Sequence, residues 1–212
     1  MELDPETRPW SSVYKILIGA VVPRPIGWIS SLDEHGRRNL APFSFFNAVC
    51  ARPPHIVFSP LVRETDSGEK DTLRNVRATG EFVVNIVTEA LAEAMNLSST
   101  ELPPEADEFS VAGLTAAPSV VVKAPRVAES PVHLECRVAH LLELGGQPGA
   151  ATLVVGRVVH LHVDPSVLLG EDKIDLARLR PIGRLSGAAY CRVTDIFEMK
   201  RPPSQLAGGT RR

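Results

Sequence analysis

The sequence predicts a mainly β fold, an antiparallel barrel with helices in the connections. Short β-branched runs separated by turn residues recur through most of the chain, a pattern typical of all-β domains. The first three runs follow one another with no room for crossover helices, which parallel strands would need. A doubly wound α/β sheet is therefore the less favoured alternative. We expect about seven strands and two or three helices.

Length and composition predict one globular domain. Of 212 residues, 44% are hydrophobic and 23% charged, which is in the ordinary range for a folded domain with its own core. We expect this domain to occupy residues 1–200. Residues 201–212 contain two prolines, two glycines and two terminal arginines, and we interpret them as a flexible C-terminal tail outside the fold.

The first predicted element is a β-hairpin with strands at 26–32 and 40–46. The polar connection ends in Gly36, which supplies the positive φ that a tight turn needs. A third strand at 55–59 is entered through Pro53-Pro54. Prolines have no backbone donor, so they stand before a strand or at the edge of a sheet.

A change of periodicity then predicts a helix that begins at Lys70-Asp71-Thr72 and ends at Gly80, where a C-terminal stop belongs. The chain returns to a strand at 81–87. Residues 89–97 are rich in Ala, Leu, Glu and Met and predict a second helix. The positions of the first helix that fall at helical spacing are Leu73, Val76 and Arg77.

The second half of the chain is predicted to be a long loop followed by strands. Residues 98–117 contain Pro103-Pro104, several acidic residues and Gly113, so we expect a loop excursion with room for one helical turn. The further predicted strands are 120–122, 133–142, 152–163 and 189–197.

Charge excludes several classes of partner. A net charge of -2 and a pI near 6.3 give no field that would attract nucleic acid or a membrane surface, so we expect neither as a partner. The apolar run at 16–22 is too short to span a bilayer. The N-terminus is acidic and lacks the features of a secretory signal, and we expect a cytoplasmic protein.

Cysteines and histidines indicate no metal or redox motif. The cysteines, Cys50, Cys136 and Cys191, are odd in number and widely spaced, and we interpret them as reduced, small core residues. His160 and His162 share one strand face, but no cysteine or carboxylate cluster joins them, so we predict no metal site. The usual nucleotide-fold and hydrolase motifs are absent too.

The first hairpin is rich in candidate ligand groups. Trp28 and Ser30 lie two apart on one strand face beside Gly27, where a flat ligand could lie. A core aromatic and a paired hydroxyl explain the same pattern, and this segment leaves both interpretations open. Further on, Pro42 removes one ladder donor, so freed polar groups near Ser44 and Asn47 could bind the edge of a heterocycle. The alternative is a bulged strand whose phenylalanines fill the barrel.

The triplet Lys70-Asp71-Thr72 suits a monophosphate. It stands at a helix start, where unpaired N–H groups and the helix dipole favour an anion, and lysine and threonine add direct donors. An ordinary N-cap by Asp71 or Thr72 is the alternative for these residues.

A series of segments carries a family resemblance: VVPRPIGWISS at 21–31, NLAPFSFFNAV at 39–49, PP at 53–54, KDT with Asn75, GEFVVN at 80–85 and RLSGAAY at 184–190. Together they resemble the flavin reductase-like, FMN-binding split-barrel family, which includes flavoredoxin-like proteins. The resemblance runs in order from Tyr14 to Phe197. Two positions depart from the family pattern: Ser186 stands where a second glycine is common, and Cys50 where a serine is common.

The resemblance implies a homodimer of split barrels with FMN bound near or across the subunit interface. It places Ser44 and Asn47 near the polar edge of the flavin, and the first hairpin along one wall. The phosphate would lie toward the helix start and Ser59. The cofactor-binding residues implied in this way are Trp28, Ser30, Ser31, Ser44, Phe45, Asn47, Ser59, Lys70, Asp71, Thr72, Arg184 and Tyr190.

The implied activity is an NAD(P)H-dependent flavin reductase. NADH or NADPH would be a transient substrate that passes a hydride to flavin N5, and electrons would go on to free flavin or an acceptor oxygenase. The chain itself would orient the flavin and contribute no catalytic acid or nucleophile. The alternative is an FMN-binding electron-transfer or flavin-carrier protein without nicotinamide turnover. A pyridoxine-phosphate-type oxidase is a third hypothesis. It is disfavoured because such an enzyme would need a cluster of basic residues beyond Lys70 to bind the phosphate of its substrate.

Overall fold

The computed structural model describes residues 2–66, 68–103 and 105–205. Its architecture is mainly β, as predicted. The strands are β1 Gly27–Leu32, β2 Arg38–Phe43, β3 Phe46–Ala51, β4 Pro54–Phe58, β5 Glu81–Ile86, β6 Ala116–Ala117, β7 Arg126–Val127, β8 Val132–Glu143, β9 Thr152–Val163, β10 Ile182–Arg184 and β11 Tyr190–Arg192. A seven-stranded antiparallel sheet has the order β2-β1-β5-β8-β9-β4-β3.

The sheet curls round an aromatic core. Phe43 of β2 and Phe58 of β4 come from strands near opposite ends of the sheet, yet their ring centroids are 5.2 Å apart. The Phe58 ring centroid also lies 5.2 Å from that of Phe82 on β5, three strands away in the sheet order. These contacts are possible only if the sheet bends back on itself, so the antiparallel barrel expected from the sequence is confirmed.

The helices occupy the connections and are α1 Trp10–Ala20, α2 Asp71–Thr79, α3 Ala92–Leu97, α4 Glu108–Val111 and α5 Leu176–Leu179. The predicted helix after residue 69 is α2, and Gly80 ends it in the left-handed region with φ 69°. The predicted second helix becomes a 3₁₀ turn, Glu89–Leu91, continued by α3. Helix α1 was not predicted. None of the helices in the described residues is long and apolar enough to span a bilayer.

The predicted hairpin is confirmed, with Gly36 at φ 80° in its turn. The strand expected at 40–46 is wrong in its extent, because the chain bends at Ser44 and Phe45. This bend moves the chain from one edge of the sheet, β2, to the other, β3. The predicted strands at 133–142 and 152–163 form β8 and β9, the long central pair.

Two other predicted strands are corrected. Residues 120–122 form no strand, because their backbone N–H groups donate to the buried carboxylate of Glu135 and not to a neighbouring strand. The strand expected at 189–197 is reduced to β11, and residues 193–205 have no regular structure. The predicted tail at 201–212 is described only to residue 205; residues 206–212 lie outside the described part of the chain.

The cysteines differ in exposure. All three are free thiols, and Cys136 is buried in the barrel core. Cys191 is half-buried, whereas Cys50 is exposed on the edge strand β3. The prediction of a core cysteine is therefore wrong for Cys50, because residues 47–51 of this edge strand are all exposed among the described residues.

Candidate functional site

Two adjoining depressions form a cleft between the barrel, the end of α1 and the hairpin β10–β11. The arginine pocket, about 240 Å³, is lined by Arg24, Ser44, Arg184 and Tyr190 among others. The lysine pocket, about 160 Å³, is lined by Arg63, Lys70, Asp71, Thr72 and Glu108 among others. Pro42 and Ser99 line both pockets, so the two depressions are parts of one cleft.

Arg24 organises the wall of the arginine pocket. Its side chain is 5% exposed, and Nη1 donates to the carbonyls of Ile18 at 2.7 Å and Val21 at 2.8 Å. Nη2 donates to Leu185 O at 2.9 Å, and Nε donates to Ser44 Oγ at 3.3 Å. One buried guanidinium therefore joins the end of α1, the β10–β11 hairpin and Ser44. Burial lowers the pKa of Arg24.

The β10–β11 hairpin contributes a stacked pair to the same pocket. Arg184 and Tyr190 are cross-strand partners. The Arg184 guanidinium carbon lies 4.4 Å from the centroid of the Tyr190 ring, and Nη2 donates to Gly187 O at 2.6 Å. This geometry holds the guanidinium over the face of the aromatic ring at the wall of the cleft.

The lysine pocket ends at the start of α2. Lys70 is the N-cap residue of this helix, and no side chain caps the first turn. Among the described residues, the Lys70 ammonium has no hydrogen-bond or ion-pair partner, whereas Asp71 pairs with Arg74 and, at 3.7 Å, with Arg63. A free ammonium and the N–H groups of the first turn together suit an anion.

A buried polar network forms the floor of the lysine pocket. Thr72 Oγ1 donates to Asn39 Oδ1 at 2.7 Å, and Asn39 Nδ2 donates to Glu108 Oε1 at 3.1 Å. The other Glu108 oxygen accepts from Leu40 N at 3.1 Å. Burial raises the pKa of the Glu108 carboxyl. Thr72 therefore lines the cleft, but its hydroxyl proton is already committed to the network.

The structure brings Ser44, Lys70, Asp71, Thr72, Arg184 and Tyr190, all predicted from the sequence, to this cleft. It does not bring Trp28, Ser30 or Ser31 there, because all three are fully buried in the barrel. Trp28 Nε1 donates to Ser98 Oγ at 2.9 Å, and Ser30 Oγ donates to Pro125 O at 2.5 Å. The alternative interpretation of this segment, a core aromatic and a paired hydroxyl, describes what the structure shows. Ser31 Oγ accepts from Asn75 Nδ2 at 3.1 Å.

Phe45, Asn47 and Ser59 lie beside the cleft and line neither pocket. The Phe45 ring is 6.4 Å from that of Tyr14, and Phe45 O accepts from Ser59 N at 2.9 Å. Asn47 is exposed at the start of the edge strand β3. A ligand confined to the cleft of one chain therefore does not reach these three residues.

Sequence reasoning assigned no site role to Tyr14, Arg24 or Arg63, which all line the cleft. Tyr14 belongs to the unpredicted helix α1. Arg24 stands in the most characteristic segment, 21–31, and an arginine between two prolines there is a usable signal. Arg63 is a cation in the loop that leads into α2, and this position is a weaker signal than that of Arg24.

The histidines do not form a metal site in the described residues, where no group of three or more His, Cys, Asp or Glu is placed to hold a metal ion. His133 Nδ1 lies 3.0 Å from His162 Nδ1, and His133 Nε2 lies 2.8 Å from Val127 O. His162 thus packs on a buried histidine from the neighbouring strand.

Comparison with known proteins identifies the family. The model of the flavin reductase like domain matches residues 19–174, most of the chain. The chain belongs to the flavin reductase-like family. The matched range includes the last two residues of α1, every strand of the seven-stranded sheet and the residues that line the lysine pocket.

Similar solved structures extend the comparison. Nitrilotriacetate monooxygenase component B from Bacillus cereus is 35% identical, with a TM-score of 0.88 over 94% of this chain and 98% of that one. The 2-nitrobenzoate 2-nitroreductase NbaA of Pseudomonas fluorescens is 28% identical, with a TM-score of 0.85 over 99% and 100%. A Shewanella frigidimarina protein described as having a split barrel domain is 20% identical, with a TM-score of 0.80 over 95% and 100%. The fold is therefore the split barrel.

The donor set of the cleft fits a flavin nucleotide. A free ammonium at a helix start suits its phosphate. The wall of the arginine pocket offers Ser44, whose oxygen accepts from Arg24 and whose proton remains available to a ligand. The exposed Asn96 and Ser99 also line this pocket and add polar groups. The cleft thus has a phosphate end, a polar wall and an aromatic side chain.

Proposed function

We propose that this protein is an FMN-binding oxidoreductase that reduces flavin with NADH or NADPH. The observation that carries the proposal is the continuity of the cleft. A free lysine at a helix start lies at one end and the hydrogen-bonding wall of Ser44 and Arg24 at the other, in a chain of the flavin reductase-like family.

The side chains of the cleft would bind and orient the cofactor. Lys70 and the first-turn N–H groups of α2 would hold the phosphate, and Ser44 would donate to the polar edge of the ring system with its hydroxyl oriented by Arg24. When bound, FMN supplies the chemistry of accepting a hydride. The protein's part is orientation, since the described cleft offers no nucleophile paired with a base.

Two of the similar structures support a role in electron transfer to an acceptor. The Bacillus cereus protein is a monooxygenase component, and the Pseudomonas fluorescens protein is a nitroreductase. We propose that this chain likewise passes electrons to a partner oxygenase or to free flavin, and that it does so in the cytoplasm.

We also propose that the protein is a homodimer. Helix α1 exposes Ile16 and Leu17, and the edge strand β3 exposes Val49. The Tyr14 ring of α1 contacts the ring of Phe45, the residue before β3. β3 is paired on one side only, and an apolar face beside an open strand edge is typical of an interface. A second copy there would lie beside Phe45 and Asn47, so those two residues would then border the cofactor site.

The deciding experiment is an absorbance spectrum after addition of FMN or FAD and removal of unbound flavin. We expect FMN to be retained and then bleached by NADH or NADPH under anaerobic conditions. Retained FMN that neither nucleotide bleaches would favour a flavin carrier. Retention of FAD but not FMN would contradict the proposed cofactor.

The phosphate end of the site can be tested with Lys70→Gln. We expect FMN binding to weaken on the order of tenfold, because one charge-assisted contact is lost. Riboflavin, which has no phosphate, should bind the variant and the wild type equally. The exposed Lys173→Gln is the matched control. Equal weakening for riboflavin and FMN would show that Lys70 does not contact the phosphate.

A further inference from the structure

The arginine pocket carries two guanidinium groups and no carboxylate. Arg24 and Arg184 are the charged residues that line it. Neither makes an ion pair with an acidic residue in the described part of the chain. This end of the cleft therefore has a local excess of positive charge.

The fold places these two arginines directly opposite each other. They form an isolated antiparallel bridge in which Arg24 N donates to Arg184 O, and Arg184 N to Arg24 O, both at 2.9 Å. Like charges directly opposite across a strand pair are destabilising. The Arg184 charge also adds to burial in lowering the pKa of Arg24. Because this arrangement does not stabilise the fold electrostatically, a bound anion is its natural counter-charge.

The two guanidinium groups have different free donors. An arginine has five N–H donors, and Arg24 makes four hydrogen bonds with them, to four acceptors inside the wall. Among the described residues, the Arg184 guanidinium makes one hydrogen bond, to Gly187 O, and stacks on Tyr190. Arg184 therefore has donors left for a ligand, and its planar fork is already held in place. Arg24, whose donors are used inside the wall, is a fixed positive charge next to Arg184.

We infer that Arg184, stacked on Tyr190 and backed by Arg24, binds the diphosphate of the nicotinamide dinucleotide that reduces the flavin. This rests on the proposed function. FMN has one phosphate group, and the free ammonium and helix start of the lysine pocket would bind it. A second cationic centre at the other end of the same cleft then serves a second anionic ligand, and guanidinium forks recognise phosphate oxygens in pairs. Arg184 and Tyr190 would therefore bind the electron donor and not the flavin.

The test compares NADH with 1,4-dihydronicotinamide riboside, which carries the same reducing ring and no phosphate. In Arg184→Gln we expect the KM for NADH to rise on the order of tenfold relative to the KM for the riboside, with FMN still retained. Tyr190→Leu should raise the KM for NADH in the same selective way, whereas Tyr190→Phe should keep the wild-type value. Arg157→Gln, at an exposed arginine on β9, is the control for loss of one charge.

A binding measurement without turnover completes the test. Calorimetric titration of inorganic pyrophosphate into flavin-free Lys70→Gln protein, which lacks the ammonium of the lysine pocket, should show binding, and adding Arg184→Gln should abolish it. Loss of FMN retention in Arg184→Gln would overturn the inference, because the site would then belong to the cofactor. An equal change for NADH and the riboside, or no change for either, would overturn it too. Failure of the wild type to retain flavin would count against the proposed function, and the pyrophosphate titration would still decide the inference.

Discussion

At the scale of single residues, hydrogen-bond pairing separates side chains that serve the fold from those left for a ligand. Every buried side-chain polar atom of the described residues has a partner. Trp28 and Ser30 are among the paired, buried groups, whereas Lys70 and Arg184 retain free donors at the cleft surface. Because unpaired buried groups are costly, free donors accumulate where a ligand can reach them.

His133 makes stability depend on pH. Its side chain is 2% exposed, and Val127 O can only accept, so Nε2 carries the proton and Nδ1 accepts from His162. Burial lowers the pKa of His133 from 6.5 to about 4, with Arg126 and His162 acting in the same direction. The folded state thus binds fewer protons than the unfolded chain between these values, and stability is lost as the pH falls through this window.

The expected loss attributable to His133 is about 2 kcal/mol between pH 7 and pH 5. It is measured as the difference in urea unfolding free energy between wild type and His133→Gln at each pH. The variant should be less stable at pH 7 but should lose less on acidification. His35→Gln, at an exposed turn histidine, should keep the wild-type pH dependence. Parallel pH profiles for wild type and His133→Gln would refute this assignment.

At the scale of elements, the ends of α2 position the lysine pocket. Its N-terminus presents Lys70, and its C-terminus stops at Gly80 with φ 69°, where Gly80 N donates to Val76 O at 3.0 Å. Glycine adopts the left-handed region without the strain that a Cβ introduces. The helix is thus fixed in length by a residue that the sequence already identified.

Gly80→Ala should lower the free energy of unfolding by about 1 kcal/mol, because alanine is strained at positive φ. Apart from its chain neighbours, no described atom lies within 4 Å of a Cβ added at Gly80, so strain and not a clash is the cause. Gly19→Ala is the matched change inside α1, also with open space around the new Cβ. It should be neutral or stabilising, since alanine favours helix. Equal destabilisation by both changes would contradict the explanation.

At the scale of the whole molecule, the apolar face of α1 and β3 has no covering element in the described chain. Leu17 is 51% exposed on this face. Leu161, on β9, is 58% exposed elsewhere on the molecule. The two leucines are matched in exposure and differ in whether they lie on the proposed dimer face.

Leu17→Lys should convert the protein from about twice 23.0 kDa to the monomer mass in light scattering, because a charge would be buried at the interface. Leu161→Lys should leave the mass unchanged. If FMN lies near the interface, the Leu17→Lys monomer should also retain less flavin than the wild type. A wild-type protein of monomer mass would refute the dimer directly.

Local sequence signals determined much of the fold of this flavin reductase-like protein. The turn glycine at 36, the helix stop at Gly80 and the long β-branched runs of β8 and β9 are encoded within a few residues of where they act. The ordered segments at 21–31 and 39–49 indicated the family, which the family match confirmed. Lys70 and Ser44 could be proposed as ligand groups because the polarity of a helix start and the effect of a proline on a strand are local properties.

The tertiary structure alone decided which of the candidate side chains face the cleft. Ser30 pairs with Pro125, 95 positions away, and Arg24 with Leu185, 161 positions away. Such partners are set by how the sheet curls and where α1 docks, and no local pattern reports them. The same reason explains the exposed Cys50, the absent strand at 120–122 and the opposition of Arg24 and Arg184. Periodicity specifies elements, whereas burial and pairing of a side chain depend on which elements pack against it.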